Sequence, residues 1–376
     1  MINTEILEIK KQFTHDNCSI TKISGCYVDG EKTVKSQFTE TFLSMPEEET
    51  FKYFEIFKKT LSGSIGKNLI NMEFPQAAEL EEGQQTFLLN LLDSKLKDET
   101  ILDKFYNSII QSYEYTGNYL ILLINAAYDI PGKTKDKQQM EDASDEVYQY
   151  ILCSICPVKL SKPGLSYNTD TNSIKKRIQD WVVDKPINGF LFPAFNDRST
   201  DIHSLLYYAK DPEDLNKEFV NQLLSCELPM TAETQKEVFQ QLIEETLGEE
   251  CEYETVRNIH EKLNDIIEEH KMKEIPEPLL LDKKWLKDVF EECGVEEEKI
   301  SEFNQLFDKL AGDDTKLLAS NITSTRTFEI TTPDIIIKVN PEHSNLVQTR
   351  SIDGRNCLVI EINDKIEVNG ITVKPV

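Results

Sequence analysis

The residues best placed to do chemistry sit in one short stretch, Asn196-Asp197-Arg198-Ser199-Thr200-Asp201-Ile202-His203. It holds a guanidinium, two hydroxyls, an imidazole and two carboxylates. Read as a strand-to-helix turn, it offers the free N–H groups of a helix start beside Arg198. Ser199 or Thr200 would cap the helix, and His203 would sit one turn in. That arrangement suits an anion or a phosphate. The plainer reading is an ordinary helix cap, with Arg198 paired to Asp197 or Asp201. With a metal recruited by Asp197 and Asp201, the same turn would suit a nuclease or phosphodiesterase. The densest basic cluster is Lys175-Lys176-Arg177, on a predicted amphipathic helix reaching Trp181. It is either a solvated face or a patch that grips a phosphate backbone without reading bases. Arg326, Lys338, Arg350 and Arg355 lie near the C-terminus, where acid is scarce.

Other candidate motifs dissolve on inspection. Gly132-Lys133-Thr134 resembles the end of a phosphate loop, but that loop needs a glycine at position 127, which is alanine. The segment reads as a solvent loop. Cys153-x-x-Cys156 lies inside an apolar strand rather than at a helix start, so it reads as two buried structural thiols. The histidines at 15, 203, 260, 270 and 343 show no metal-ligand spacing, and His260 and His270 are expected on an exposed acidic helix face. The sequence calls for no cofactor and no metal, and shows no catalytic signature.

The chain has 376 residues and a net charge of −26. Residues 231–300 hold 21 acids against 9 bases, whereas residues 319–376 hold 7 against 6. A field of this sign repels phosphate backbones at long range and favours basic partners. Nucleic-acid contact would therefore need a local patch. No apolar run reaches the roughly 18 residues of a membrane span. The opening residues carry early acids and no apolar core of a signal peptide. A cytoplasmic location, at the nucleoid if the protein meets DNA, with reduced cysteines is expected.

Around these residues the pattern predicts an α+β fold. Residues 1–210 read as an N-terminal mixed α/β domain around a central, mixed sheet. Its buried strands are expected at Asn118–Ile124, Val147–Val158 and Gly189–Phe195, with a helix from about Asp201 and loops at 131–145 and 161–173. Residues 211–318 read as an acidic helical region without strands, opening with a helix at Asp211-Pro212. Residues 319–376 switch to period two and read as a small β-rich tail, with hairpin turns at Asp353-Gly354 and Asn369-Gly370.

Several strings carry a resemblance over the whole chain. They are Gln12-Phe13-Thr14, Gly25-Cys26-Tyr27-Val28-Asp29-Gly30, Phe51-Lys52-Tyr53-Phe54-Glu55-Ile56-Phe57, Ile151-Leu152-Cys153-Ser154-Ile155-Cys156-Pro157-Val158 and Phe192-Pro193-Ala194-Phe195-Asn196-Asp197-Arg198. They are similar to an uncharacterised bacterial family, a domain of unknown function. The order of elements more remotely resembles the bacterial nucleoid-associated protein family, best between Tyr150 and Tyr208. That resemblance implies association with the chromosome and assigns no residue.

The resulting expectation is a non-enzymatic protein of nucleoid-associated type. It would contact DNA, or a basic protein bound to DNA or RNA, through Arg198, Ser199, Thr200, His203, Lys175, Lys176, Arg177, Arg326, Arg350 and Arg355. The first alternative is an acidic module in which residues 231–300 bind a basic partner. The second is the metal-dependent nuclease. No membrane partner is expected, and the apolar edge strands are compatible with a homodimer.

Overall fold

A computed structural model of the chain describes residues 1–80, 82–133, 139–362, 366–368 and 370–374, without the side chains of 132–145 and of Glu250. The chain divides into two compact units, Met1–Thr231 and Ala232–Val376. The fold class is α+β, as the patterning predicts.

The N-terminal unit runs α1 (Asn3–Lys10), β1 (Ile20–Val28), β2 (Val34–Thr41), α2 (Glu47–Thr60), β3 (Leu69–Glu73), α3 (Gln84–Asp93), α4 (Glu99–Ser112), β4 (Asn118–Lys133) and β5 (Gln139–Leu160). It continues with β6 (Leu165–Asn168), β7 (Ser173–Lys176), β8 (Trp181–Val183), β9 (Asn188–Phe192), β10 (Ala194–Asn196), β11 (Ser199–Asp201), β12 (Ser204–Ala209) and α5 (Lys217–Phe219). One large sheet organises it, in the order β2-β1-β4-β5-β9-β12-β3, with β8 also on β5. Every pairing in it is antiparallel, so the sheet is not mixed as expected.

Both faces of this sheet are covered. Ile121, Leu123, Ile151 and Cys153 face the core shared with α3 and α4. Leu122, Ile124, Leu152 and Cys156 face the core shared with α1 and α2. Alternate residues of β4 and β5 thus point into different cores, which is why these strands are apolar throughout. Cys153 and Cys156 fall on opposite faces. Burial pushes both thiols well above their ordinary range, so they are structural. At Gly189 any Cβ would stand 2.4 Å from the Cys153 carbonyl oxygen and 2.6 Å from Thr60 Cγ2. That position has room only for glycine, and it lets β9 lie tightly against β5 beneath α2.

Four expectations change here. The loop at 131–145 is largely strand, because β4 extends to Lys133 and β5 begins at Gln139. Thr134, the last residue of the phosphate-loop look-alike, lies outside the described residues. The loop at 161–173 carries β6. The helix from Asp201 does not form, because Ser204–Ala209 is the buried strand β12 between β9 and β3. The helix at Asp211-Pro212 starts later, at Lys217, and passes into a π turn at Val220–Leu224.

The C-terminal unit is built on α6 (Ala232–Leu247), α7 (Tyr253–Met272), α8 (Lys283–Glu292), α9 (Glu297–Ile300) and α10 (Phe303–Leu310). Apolar residues at helical spacing, such as Ile259, Leu263 and Ile267 on α7, are buried. Two-residue strands, Leu280–Leu281 and Leu317–Leu318, pair within this region, which was expected to lack strands. Beyond it come three separate hairpins: Phe328–Thr331 with Ile336–Val339, Val347–Ile352 with Arg355–Ile360, and Ile366–Val368 with Ile371–Val373. His260 is not exposed as expected. Its Nδ1 lies 3.1 Å from Thr323 Oγ1, and burial lowers its pKa to about 4. His270 is half-buried.

Candidate nucleic-acid interface

The turn that looked richest in chemistry is a structural clamp. β10 and β11 form a tight hairpin with Asn196 opposite Ser199. Its two central residues, Asp197 and Arg198, have φ of 51° and 55°. Two left-handed residues give the turn a twist that matches its strands. Ser199 and Thr200 therefore lie in a strand and cap no helix, and the helix-start anion site is absent. The Arg198 guanidinium turns inward and forks onto Glu8 of α1, with Nη2–Oε1 at 2.9 Å and Nε–Oε2 at 3.2 Å. Its partner is Glu8, rather than Asp197 or Asp201. Tyr128 donates to the same carboxylate at 2.8 Å, and the Arg198 backbone N–H donates to Glu5 at 3.4 Å. The bond to Glu8 raises the Arg198 pKa further. Nη2 also donates to the Pro131 carbonyl. Arg198 thus ties α1, β4 and the hairpin together, and its charge is spent internally.

The neighbours are similarly engaged. His203 is exposed, between β11 and β12, and its Nδ1 lies 2.7 Å from Glu79 Oε1, which raises its pKa. Asp201 accepts from Asn196 Nδ2 at 2.7 Å and from the His203 N–H at 3.0 Å. No group of three metal-binding side chains occurs among the described residues.

Lys175, Lys176 and Arg177 have a different setting, and it is not the predicted helix. They belong to a long two-stranded arm. At its base, Val158, Lys159 and Leu160 of β5 pair with Val183, Val182 and Trp181 of β8. At its tip, β6 pairs with β7 from Leu165 opposite Lys176 to Asn168 opposite Ser173. Between the two, the Ser161 N–H donates to the Asp180 carbonyl and the Arg177 N–H to the Gly164 carbonyl, both at 2.8 Å. Equal numbers of residues separate base and tip on each strand, so the arm is one hairpin.

No residue from 159 to 185 is buried. The arm holds six bases (Lys159, Lys162, Lys175, Lys176, Arg177 and Lys185) against Asp170, Asp180 and Asp184, a net of +3. Residues 1–230 as a whole are net −11. Lys175, Lys176 and Arg177 are exposed and make no ion pair among the described residues, whereas Lys159 meets Asp184 at 3.6 Å. The sequence pattern did not single out the arm's apolar groups: Leu165 is 77% exposed, Ile178 82%, Trp181 58% and Tyr167 57%. The signal was present as period two in Leu165-Ser166-Tyr167-Asn168 and Ser173-Ile174-Lys175-Lys176. Ile174, Ile178 and Trp181 at helical spacing hid it.

The tail arginines belong to the other compact unit. All three are exposed. Arg326 precedes the first hairpin, Arg350 donates to Gln348 Oε1 at 2.9 Å, and Arg355 stands at the turn of the second hairpin. Within that same unit the acids do gather. Lys299 of α9 donates to the Leu247 carbonyl at the end of α6 at 3.2 Å. This places the start of α9 beside the end of α6, and Glu296, Glu297 and Glu298 on one and Glu244, Glu245 and Glu249 on the other are all exposed.

Comparison with known proteins adds one assignment. No curated protein and no solved structure matches the chain, and the nucleoid-associated likeness finds no support. No helix among the described residues is long and apolar enough to cross a membrane. A family model matches residues 1–371, and the chain belongs to that family, described as a domain of unknown function (DUF4317).

Proposed function

We propose that this is a non-enzymatic binding protein that contacts nucleic acid through the arm of residues 159–185. The observation that carries the reading is local. An unburied hairpin of net +3, whose Lys175, Lys176 and Arg177 make no ion pair among the described residues, extends from a unit that is otherwise acidic. From Leu160 to Asn168 the arm spans roughly 25 Å at about 3.3 Å per residue. The Debye length is about 8 Å at physiological salt. Lys175, Lys176 and Arg177, opposite Ser166, Leu165 and Gly164, stand roughly 13–20 Å along it, beyond one Debye length from the base, so a phosphate backbone can approach them.

Fluorescence anisotropy with labelled DNA across a salt series tests this. Binding should weaken linearly on a log–log plot. Replacing Lys175, Lys176 and Arg177 by alanine should flatten the slope by about 2, the share of three phosphate contacts on a single strand. Absence of binding at low salt would end the reading.

A second reading rests on the acidic corner at α6 and α9, which would hold a basic protein partner. Capture of such a partner should fall with added salt and vanish in E296K/E297K/E298K. Capture unaffected by that variant would refute it.

A further inference from the structure

We infer that the arm takes single-stranded nucleic acid in preference to duplex. This rests on the reading above and adds to it the class of strand. The arm presents two chemistries together. Its cations suit phosphates, but cations alone would not explain why Tyr167, Trp181, Leu165 and Ile178 stand in water beside them. Exposed apolar groups gathered on one short element, rather than scattered singly, mark an interaction surface. A duplex hides its base faces in the stack and shows the arm little but phosphate and groove. A single strand offers phosphates and free base faces at once, and bases stack on aromatic rings whatever their identity.

The geometry of the arm fits that ligand. On the tip, Leu165 opposes Lys176 and Tyr167 opposes Ile174, and opposed residues share a face. Tyr167 therefore lies on the same face as Lys176, with Leu165 and Ile174 between and beside them. The Tyr167 hydroxyl donates to Asn172 Oδ1 in the turn, which fixes the ring in place without covering it. At the base, Trp181 stands opposite the half-exposed Leu160 and next to Val182. The basic run Lys175–Arg177 lies between the two aromatic positions in sequence. In this constant register Tyr167 shares one face with Lys176, and Trp181 shares the other with Lys175 and Arg177, so each face of the ribbon offers a strand one ring beside a cation.

Charge decides against a neutral protein partner for this surface. The arm is the basic segment of a unit that is net acidic, and a polyanion with apolar faces matches both its charge and its exposed rings. An anionic lipid surface would also meet basic and aromatic groups, and the test separates it.

The experiment compares the full chain with a labelled oligothymidylate of about 20 nucleotides, longer than the roughly 4–16 that one small binding fold covers. A duplex of the same length and vesicles containing phosphatidylglycerol serve as competing probes. Anisotropy reads the affinity and its salt slope. Four variants separate stacking from simple apolar burial: W181F, W181L, Y167F and Y167L, each checked for an unchanged melting temperature.

The expected result is tighter binding to the single strand than to the duplex. W181L and Y167L should each lower single-strand affinity about 10-fold, within the range found for one stacked base. W181F and Y167F should retain most of it, and none of the four should change the salt slope. Equal affinity for both forms, with leucine variants as good as wild type, would overturn the inference and leave the phosphate contact standing. Binding to neither oligonucleotide would overturn both. Binding to the vesicles alone would also overturn both, and would assign the arm to lipid headgroups.

Discussion

Two basic regions of the N-terminal unit invite comparison, the Arg198 turn and the arm of residues 159–185. On composition the turn is the richer site, with hydroxyls, imidazole and carboxylates around one guanidinium. In the fold its charge is consumed. Glu8 takes the guanidinium fork and Tyr128 shares the carboxylate. The arm is poorer in functional groups, but Lys175, Lys176 and Arg177 make no ion pair among the described residues and its rings are uncovered. A cation available to a ligand is one that the fold has not already neutralised. A hydrogen-bonded, partly buried ion pair serves local architecture instead.

The largest effect should come from reversing the arm's charge. K175E/K176E/R177E is expected to lower nucleic-acid affinity about 100-fold or more at low salt. Thermal melting should stay unchanged, because none of the three side chains is buried. A fall in melting temperature would mean that the arm is part of the fold's support, and the contrast with Arg198 would collapse.

Next in size is a titration in the C-terminal unit. His260 is held neutral by burial, with a folded pKa of about 4 against an ordinary 6.5. Between those values the unfolded chain binds more protons than the folded one. Stability is therefore complete above pH 6.5 and falls as the pH drops toward 4, by roughly 3 kcal/mol. Urea unfolding at pH 7 and pH 4.5 measures it. His260→Leu should remove this share of the pH dependence, and an identical pH profile in that variant would show that the ring is not the group responsible.

Arg198→Ala comes third. It removes the guanidinium fork from the Glu8 carboxylate and loosens the β10–β11 turn from α1, a cost of about 1–3 kcal/mol. Nucleic-acid affinity should not change. Weaker binding with intact stability would return the turn to the list of contacts and break the comparison.

The smallest effect concerns His203. Its pKa is raised by the hydrogen bond to Glu79, so the pair's contribution is fully present below pH 6.5 and is lost as the pH rises through the higher folded value. The pair is exposed, so the melting-temperature difference between wild type and His203→Gln should be slight at pH 6 and absent at pH 9. A difference that grows with pH would reverse the assignment.

Much of the fold was legible in local pattern. The helices at 47–60, 232–247 and 253–272, the doubly buried β4 and β5, and the period-two tail all follow from spacing and burial. So does the structural role of Cys153 and Cys156, since two residues three apart in a strand face opposite ways. The candidate site was half legible. Lys175, Lys176 and Arg177 stood out by charge, but the arm and its rings did not. Ile174, Ile178 and Trp181 repeat at a helical interval, and only pairing with residues 160–168 makes them a ribbon. Likewise Ser204-Leu205-Leu206-Tyr207-Tyr208-Ala209 suits either a helix or a buried strand. Its place between β9 and β3 decides.

The sequence by itself therefore determined the fold class, the acidic bias and the identity of the scarce cations. Those are sums and short-range periodicities of the chain. Tertiary structure alone decided which cations remain free, because neutralisation depends on partners far away in sequence. Glu8 and Arg198 are on a helix and a distant hairpin that meet only once the sheet forms, whereas residues 159–185 stay unburied.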